Sequence, residues 1–382
     1  MTRLRLLKGF QLYSKTKAGQ TVLRGLNSWD WIRRPWQTDW LNFMKRLPKV
    51  KIDILVNDQI PVIDWMNFLA GNRHATPFQS FSFFKLFNSV EQLSADAIAI
   101  SKDGNIKALA VVTIQKETGL RSYFSRRGII YGGPLVSEDS PDALDILLKQ
   151  LSARLRGRVI YTETRNLSDY SCYKHIFINN GLRYIPYLNI ILDTANIEIV
   201  KHNVSNSRMR QIKAARRDSV TWEEAKSLEE VRVFHRILNR LYKEKIGKPI
   251  LPIGFFERFF ESDLGKFLMV WHDNKIIGGI MCPIMEQSAI YEFYVCGLDR
   301  EYLRQYPSIM ATWAAIEYAS VNNISRFDFM GAGSPDKKYS VRDFKSRFGG
   351  REVEFGRFIQ INNRVLYMVG KIAVGLSSRK KR

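Results

Sequence analysis

The sequence predicts a mixed α/β protein built from two similar halves. Helical and strand patterns alternate along most of the chain, and the same order of elements occurs twice, over residues 51–200 and again over 201–362. The composition, 45% hydrophobic with 23 phenylalanines, is sufficient for a sizeable core. A single large mixed domain is the alternative architecture.

The first half is predicted from hydrophobic periodicity. Its clearest helix is Pro141–Leu155, because Leu144, Leu147, Leu148, Leu151 and Leu155 recur on one face. Further helices are expected at Val62–Leu69, Ser82–Leu93 and Tyr170–Asn180, and strands at Ala97–Ile100, Ile106–Gln115, Arg121–Ile130, Arg158–Thr164 and Arg183–Asp193. Lys102–Asn105 contains Asp-Gly, which predicts a tight hairpin turn.

The second half repeats this order after a junction near Thr194–Val204. Helices are expected at Ser207–Arg217, Leu228–Ile246, Pro252–Phe260 and Pro307–Val321. Strands are expected at Val220–Ala225, Lys266–Trp271, Lys275–Met285 and Ala289–Gly297.

The stretch Arg326–Gly350 is the most informative part of the chain. Arg326–Met330 suits a short buried strand, Gly331–Pro335 a turn, and Val341–Phe348 one short helix with Ser340 as N-cap and Gly349-Gly350 as its stop. Phe344 and Phe348 share a face and can anchor this helix. Lys345 would then lie at a strand end, where a fixed positive donor can stabilise an oxyanion. The alternative is an ordinary solvated lysine.

Charge and cysteine content restrict the function classes. The 59 Lys and Arg against 37 acids give a net charge of +22, which predicts attraction to polyanions. The three scattered cysteines favour reduced thiols in a cytoplasmic protein, and the histidines and cysteines have no metal-ligand spacing. No signal peptide or membrane span is expected, and the oligomeric state is left open.

Both ends of the chain are basic. Residues 1–50 form a tryptophan-rich extension in which Trp29, Trp31, Trp36 and Trp40 accompany arginines. This composition suits either a membrane interface or packing on the main domain. Residues 363–382 form a basic amphipathic tail, which suits peripheral binding at the inner face of the cytoplasmic membrane or a solvated, frayed helix.

Several stretches together resemble the FemA/FemB/FemX peptidoglycan-bridge aminoacyltransferases and the related BioF2-like acyltransferases of the GNAT superfamily. The closing string FDFMGAG…DFKSRFGG carries most of the resemblance. The others, in order, are TPFQSFSFFKLF from Thr76, RRGIIYGGPL from Arg126, SRMRQIKAARRDSVTWEEA from Ser207 and YPSIMATWAAIEYA from Tyr306. The resemblance implies two tandem GNAT-like (acyl-CoA N-acyltransferase) subdomains and N-acyl transfer to an amine of a lipid-linked or nucleotide-linked cell-envelope precursor.

The resemblance also implies roles for particular residues. Lys345 and the amide of Phe344 would stabilise the tetrahedral oxyanion, and the general base is unassigned. Asp328 would orient the donor amine or satisfy nearby backbone amides. The resemblance implies that one arginine of the basic helix, matched by Arg210, holds the diphosphate of the acceptor, and more loosely Lys85 does so, with Gln79 nearby in the FQS segment. By helical spacing Arg210, Lys213 and Arg217 can share one face, which suits phosphate oxygens, and a solvated basic face is the alternative.

Two further pairs are candidates for substrate contact. Glu292 and Tyr294, two residues apart on a predicted strand, are expected on the same face, lining a cleft. Gly132 and Gly133 permit close backbone approach and could border the acceptor groove.

The donor is inferred from a missing turn. CoA-dependent GNAT enzymes hold the pyrophosphate with a glycine-rich turn before a helix, whereas the matching stretch here is Arg304–Met310, without glycine and with Pro307. This favours aminoacyl-tRNA as donor, with no cofactor required. Two alternatives remain: CoA-dependent acylation of a surface polysaccharide or lipid amine, and a polyanion-binding protein without catalysis.

Overall fold

The computed structural model describes residues 50–116, 125–247 and 249–379. Residues 1–49 of the predicted N-terminal extension, residues 121–124 of the predicted strand Arg121–Ile130 and the last three residues of the tail lie outside these ranges. Residues 51–382 form one compact unit. Within the described residues, sixteen strands form two mixed sheets of eight strands each, and eleven α-helices flank them.

The first sheet contains β1 (Ile52–Val56), β2 (Leu93–Lys102), β3 (Asn105–Gln115), β4 (Arg127–Gly132), β5 (Leu135–Val136), β6 (Tyr161–Asn166), β7 (Arg183–Ile185) and β16 (Arg357–Ile361). Their order is β1-β2-β3-β4-β6-β16-β7, and β5 pairs with β3. Its helices are α1 (Val62–Ala70), α2 (Phe81–Asn88), α3 (Asp142–Leu155) and α4 (Lys174–Asn179).

The second sheet contains β8 (Leu188–Asp193), β9 (Thr221–Glu224), β10 (Gly265–His272), β11 (Lys275–Met285), β12 (Ala289–Tyr291), β13 (Tyr294–Gly297), β14 (Arg326–Asp328) and β15 (Arg351–Glu354). The order is β15-β8-β14-β12-β11-β10-β9, and β13 also pairs with β11. Its helices are α5 (Ile197–Asn203), α6 (Asn206–Arg217), α7 (Leu228–Leu241), α8 (Ile253–Phe260), α9 (Pro307–Val321) and α10 (Ser340–Ser346). The C-terminal helix α11 spans Arg364–Arg379.

The two halves share a topology. Each sheet has one parallel pair of strands, β4 with β6 and β12 with β14, and a helix connects each pair, α3 in the first and α9 in the second. The predicted Asp-Gly hairpin joins β2 to β3, where Asp103 and Gly104 both have positive φ. The expectation of two similar mixed halves is therefore confirmed.

The halves exchange strands, which the sequence did not indicate. The single strand expected at Arg183–Asp193 is two strands, β7 and β8, which belong to different sheets. Pro186 lies between them and cannot donate to a ladder. In return β16, from the end of the chain, pairs with β6 and β7 of the first sheet. A boundary at residue 200 therefore does not divide the chain into two separate sheets.

One aromatic core joins the lobes. Phe78, which precedes α2, contacts Tyr131 of the first sheet and both Tyr291 and Phe293 of the second at ring-centroid distances of 5.4–5.5 Å. Tyr291 and Phe78 are almost completely buried. Because large aromatic surfaces are removed from water on both sides, the lobes are held in one arrangement.

Candidate active site at the divergence of strands β12 and β14

The parallel pair of the second sheet opens into a gap, whereas its counterpart in the first sheet does not. In the first sheet β4 and β6 stay paired over six residues. In the second sheet β12 and β14 pair over three, ending at Tyr291 and Asp328. Beyond this point the chain after β14 bonds to β8, with Phe329 donating to Ile190, while β13 follows β11. A gap between two diverging strands results.

A bulge at Phe293 and Tyr294 accompanies the divergence. The amide of Phe293 donates to the carbonyl of Met281, and Met281 is also the register partner of Tyr294. Phe293 and Tyr294 therefore both lie opposite Met281. After this bulge, each side chain points to the face opposite the one that regular alternation would give. Glu292 accepts a hydrogen bond from Thr312 of α9, whereas the Tyr294 ring packs on Tyr242 and Phe256 on the other face. The prediction that Glu292 and Tyr294 share a face is thus wrong.

Lys345 bridges the gap. Its Nζ donates to the carbonyls of Phe329 (2.6 Å) and Gly331 (3.0 Å) on one side and lies 3.0 Å from Glu292 Oε1 on the other. The side chains of Lys345 and Glu292 are 11% and 3% exposed. Lys345 is therefore not a solvated surface residue, and all three of its ammonium protons have acceptors.

Helix α10 is held in place by Arg208 of α6. The Arg208 guanidinium packs against both the Phe344 and the Phe348 ring, 4.4 and 4.6 Å from their centroids, and donates to the Phe344 carbonyl at 3.0 Å. Burial, with the nearby Arg347 charge, lowers the pKa of Arg208 to about 10. Gly349 and Gly350, with φ of 86° and 93°, end this segment as the sequence predicts.

Phe344 has a different function from the predicted one. It is the fifth residue of α10, where helical amides donate to the carbonyl four residues earlier, so its amide is not a free oxyanion donor. The helix also begins one residue earlier than expected, with Tyr339 rather than Ser340 as the N-cap. Phe344, which immediately precedes Lys345, contributes its ring and its carbonyl as the contacts that hold helix α10 in place.

Asp328 is fully buried at the last paired position of β14. Its Oδ1 accepts hydrogen bonds from Asn189 Nδ2 (2.8 Å) and the Met330 amide (2.7 Å), while Oδ2 has no partner among the described residues. Burial raises the pKa of Asp328 above its usual value, and these hydrogen bonds only partly offset the effect. Asp328 is therefore a buried carboxyl beside the gap, with one oxygen unused.

The N-terminus of α9 lies next to β13 and is occupied by Asp299. Asp299 Oδ1 accepts from the Ser308 amide at 3.0 Å, and its Oδ2 accepts from the Ser308 hydroxyl at 2.6 Å. Pro307, the first residue of α9, has no amide to donate, and Tyr306 before it has a φ of 50°. The carboxylate thus takes the position that a helix N-terminus offers to an anion.

A basic cavity of about 770 Å³ lies beside this helix end, between α6 and Tyr306. Four basic residues line it: Arg210, Lys213, Arg216 and Arg217. Arg216 is paired with Glu317 of α9. The structure therefore brings together the three residues that sequence reasoning grouped on one helix face.

Comparisons with known proteins bear on the fold that carries this site. A family model described as "Acetyltransferase (GNAT) domain" matches residues 202–339. The crystal structure of FemX is similar over 81% of this chain and 98% of its own length, with a TM-score of 0.61 at 14% identity. L-PGS from Bacillus licheniformis (0.52, 12% identity, 82% and 96% covered) and a tandem GNAT protein from the clavulanic acid biosynthesis pathway (0.51, 9%, 82% and 99%) are also similar.

The chain has a tandem GNAT fold. No curated protein matches it. The resemblance to the Fem proteins inferred from the sequence is confirmed at the level of the fold, and the gap beside Lys345 lies in the lobe that carries the matched GNAT domain.

Asp299 bears on the prediction that was drawn from the turn before α9. The sequence showed that Arg304–Met310 lacks the glycines of a pyrophosphate-binding turn, but it did not show that Asp299 would accept a hydrogen bond from the Ser308 amide at this helix end.

Three of the predicted acceptor-binding residues are buried in the first lobe. Gln79 is fully buried, bonded to the Thr76 amide and donating from Nε2 to the Gly133 carbonyl at 2.9 Å. A side chain at Gly132 would overlap Gln79, and one at Gly133 would lie 2.7 Å from the Tyr170 hydroxyl oxygen. These positions favour a structural role over lining a groove. Lys85, in contrast, is exposed on α2, with its Nζ 5.9 Å from the Phe81 ring.

Sequence reasoning missed the buried function of Arg208, which it counted only as one charge of a basic helix. The signal was present in hindsight, because Arg208 is four residues before Ile212 on the apolar side of α6. The described residues contain no group of three or more His, Cys, Asp or Glu that could hold a metal.

Proposed function

We propose that this protein is an N-acyltransferase that transfers an aminoacyl group from charged tRNA to an amine of a cell-envelope precursor. The observation that carries the proposal is the buried Lys345–Glu292 pair across the gap of the GNAT domain. A fixed charge in a poorly solvated gap stabilises a developing oxyanion far better than a solvated one does. The likeness to FemX supports this class of reaction.

The proposed reaction needs no covalent enzyme intermediate. The acceptor amine forms a C–N bond to the ester carbonyl carbon, the ester C–O bond breaks, and the proton lost by the amine is taken up by the leaving oxygen of the tRNA, which becomes a hydroxyl. Lys345 then donates to the oxyanion the hydrogen bond that it now makes to Glu292. Glu292 then keeps the Thr312 hydroxyl as a donor, at 3.3 Å.

The donor side is the basic cavity on α6. The resemblance assigns Arg210 to the diphosphate of the acceptor, but the cavity lies at the end of α9 where a GNAT fold takes its donor. We therefore assign Arg210, Lys213 and Arg217 to phosphates of the tRNA. Asp299 supports this choice over acyl-CoA, because its carboxylate would repel a pyrophosphate at the same helix end.

The acceptor side includes a proposed contact with an anionic membrane through α11. Val365, Met368, Val369 and Ile372 follow helical spacing and are 72%, 57%, 44% and 58% exposed. The same helix carries Lys371, and the tail is basic. An exposed apolar stripe with flanking cations is typical of helices that lie in a membrane interface. Within the described residues, no helix is long and apolar enough to span a bilayer.

The test is a transfer assay with two donors in parallel. The full chain is given charged tRNA or acetyl-CoA, with a lipid-linked muropeptide as acceptor. Transfer from charged tRNA alone is expected. Transfer from acetyl-CoA would favour the CoA-dependent alternative, and salt-sensitive tRNA binding without transfer from either donor would favour a binding protein.

A further inference from the structure

We infer that the inner face of the first sheet carries a second anion site, which binds a carboxylate or phosphate group of the acceptor through Arg165 and Arg127. The inference rests on the proposed function for the identity of the ligand. The site itself stands on an excess of positive charge in a partly buried wall, together with a guanidinium nitrogen that has no hydrogen-bond partner.

Strand register places these groups on one surface. Arg127 and Tyr131 lie on the same face of β4, because they are four residues apart, and Glu163 and Arg165 share that face on β6. On β16, Arg357 is the register partner of Arg165. Tyr131 belongs to the aromatic core between the lobes, so this face of the sheet is turned toward the second lobe. The three arginines therefore lie on the face of the first sheet that is turned toward the second lobe.

Among the described residues of this surface Glu163 is the one carboxylate, and it makes a hydrogen bond with only one of the three arginines. Glu163 Oε1 is 2.6 Å from Arg357 Nη1, whereas Glu163 Oε2 is 3.6 Å from Arg165 Nε, too far for a hydrogen bond. Arg127 instead donates to Gln115 Oε1 at 3.2 and 3.3 Å. Three positive charges thus face one negative charge.

Arg165 is the group left unsatisfied. Its Nε is buried without a hydrogen-bond partner among the described residues, and its Nη1 reaches only the Tyr131 hydroxyl at 3.5 Å. The side chain is nevertheless 32% exposed, so a ligand can reach it. An unpaired buried donor on a cation is costly, and an oxyanion bound at the exposed part of Arg165 would offset the excess positive charge of this wall.

The site adjoins the proposed reaction centre. Arg357 stacks on the Tyr187 ring at 3.5 Å, and Tyr187 Cε1 lies 2.8 Å from where a side chain on Gly331 would begin. The Gly331 carbonyl is one of the acceptors of Lys345. An extended acceptor whose amine reaches the gap could therefore run past Tyr187 and Arg357 and place an anionic group against Arg165.

The experiment measures binding of two small probes, inorganic pyrophosphate and glutarate, to the full chain by calorimetry. Arg165→Gln is compared with Arg232→Gln. Arg232 is an exposed arginine on α7 that is paired with Glu257 of α8. We expect wild type and Arg232→Gln to bind the preferred probe equally, and Arg165→Gln to bind it on the order of 10- to 100-fold more weakly. Preference for pyrophosphate indicates a phosphate ligand, and preference for glutarate a carboxylate.

Two further variants keep the result interpretable. Arg217→Gln removes a charge from the α6 cavity, so the fall in probe binding in this variant measures the probe that binds there rather than at Arg165. Arg127→Gln tests the site if Arg165→Gln does not fold. Equal probe binding by Arg165→Gln, Arg127→Gln and wild type, or no probe binding by wild type, would overturn the inference.

Acyl transfer is followed separately, so that the two proposals fail differently. Arg165→Gln should raise the acceptor KM more than it lowers kcat. If wild type transfers no acyl group yet binds a probe through Arg165, the proposed function fails and the anion site stands. If transfer proceeds with an unchanged acceptor KM in Arg165→Gln, the anion site fails and the function stands.

Discussion

Lys345 Nζ and Glu292 Oε1 lie 3.0 Å apart across the gap between β12 and β14, and both side chains are buried. The same ammonium group donates hydrogen bonds to the carbonyls of Phe329 and Gly331, which form the opposite wall of the gap. Lys345 therefore has a structural effect at the place where a catalytic charge is proposed. Removing it leaves Glu292 buried and unpaired, which typically costs about 3–5 kcal/mol, so activity and stability must be measured separately.

Arg208→Ala should destabilise the protein and lower turnover. The substitution removes a cation packed against two rings and a donor to the Phe344 carbonyl, and we expect a loss of about 2–4 kcal/mol in the free energy of unfolding. Arg210→Ala, two residues away on the same helix and exposed, should change stability by less than about 0.5 kcal/mol. Denaturant unfolding of both variants decides, and equal stabilities would contradict a bracing role for Arg208.

Acetyl-CoA should show no saturable binding to the wild type. Asp299 occupies the end of α9 and opposes a second anion there. Asp299→Ala should lower stability by about 1 kcal/mol through loss of the helix cap, as seen in thermal unfolding. Calorimetric titration checks the first expectation, and micromolar binding of acetyl-CoA by the wild type would refute it.

The pH dependence of stability should report the buried state of Asp328. Burial raises the pKa of Asp328 in the folded protein, so its protonated form is favoured there. Its contribution to stability is therefore fully present below the unfolded-state pKa of about 3.9 and is lost as pH rises through the folded pKa.

Asp328→Asn does not titrate at this position and serves as the reference. We expect wild type to lose stability relative to Asp328→Asn as pH rises above about 4, measured by denaturant unfolding at a series of pH values. Asp53→Asn, at a far more exposed carboxylate, controls for general charge effects. A stability difference that stays constant with pH would show that Asp328 ionises normally.

Helix α11 should bind anionic vesicles through its exposed apolar face. Met368→Gln/Ile372→Gln should weaken partitioning on the order of 100-fold, because two large side chains no longer enter the apolar layer. Val321→Gln, at a residue that is 78% exposed on α9, is the matched control and should bind as wild type does. Vesicle flotation with anionic and neutral lipids measures this, and equal binding by both variants would exclude α11 as the membrane contact.

Local patterns predicted most elements of the fold but not how strands are shared. The periodicity of Pro141–Leu155 and the turn at Asp103-Gly104 depend on neighbouring residues, so the helix and hairpin were found with little error. Which sheet a strand joins depends on contacts distant in the chain. No local signal indicated that β16 would pair with β6, almost 200 residues earlier.

The candidate site was only partly predictable for the same reason. Lys345 could be located because it lies in a short segment with a distinctive sequence. Its pairing with Glu292 depends on the packing of α10 against the gap between β12 and β14, which brings together residues more than 50 apart in the chain. The bulge at Phe293, which moves Tyr294 to the other face of the sheet, had no signal in the sequence either. Gln79 was misjudged because its burial against Gly132 and Gly133 comes from a segment more than 50 residues away.

The most direct test of the account compares Lys345→Met, Glu292→Gln and the double variant in single-turnover transfer from charged tRNA, with unfolding measured alongside. The double variant removes both buried charges and should regain much of the stability lost in Lys345→Met. If the Lys345 charge stabilises the oxyanion, the folded double variant will be slowed about 100-fold or more, while Glu292→Gln keeps most of its activity. A folded double variant that transfers within a few-fold of the wild-type rate would contradict the account.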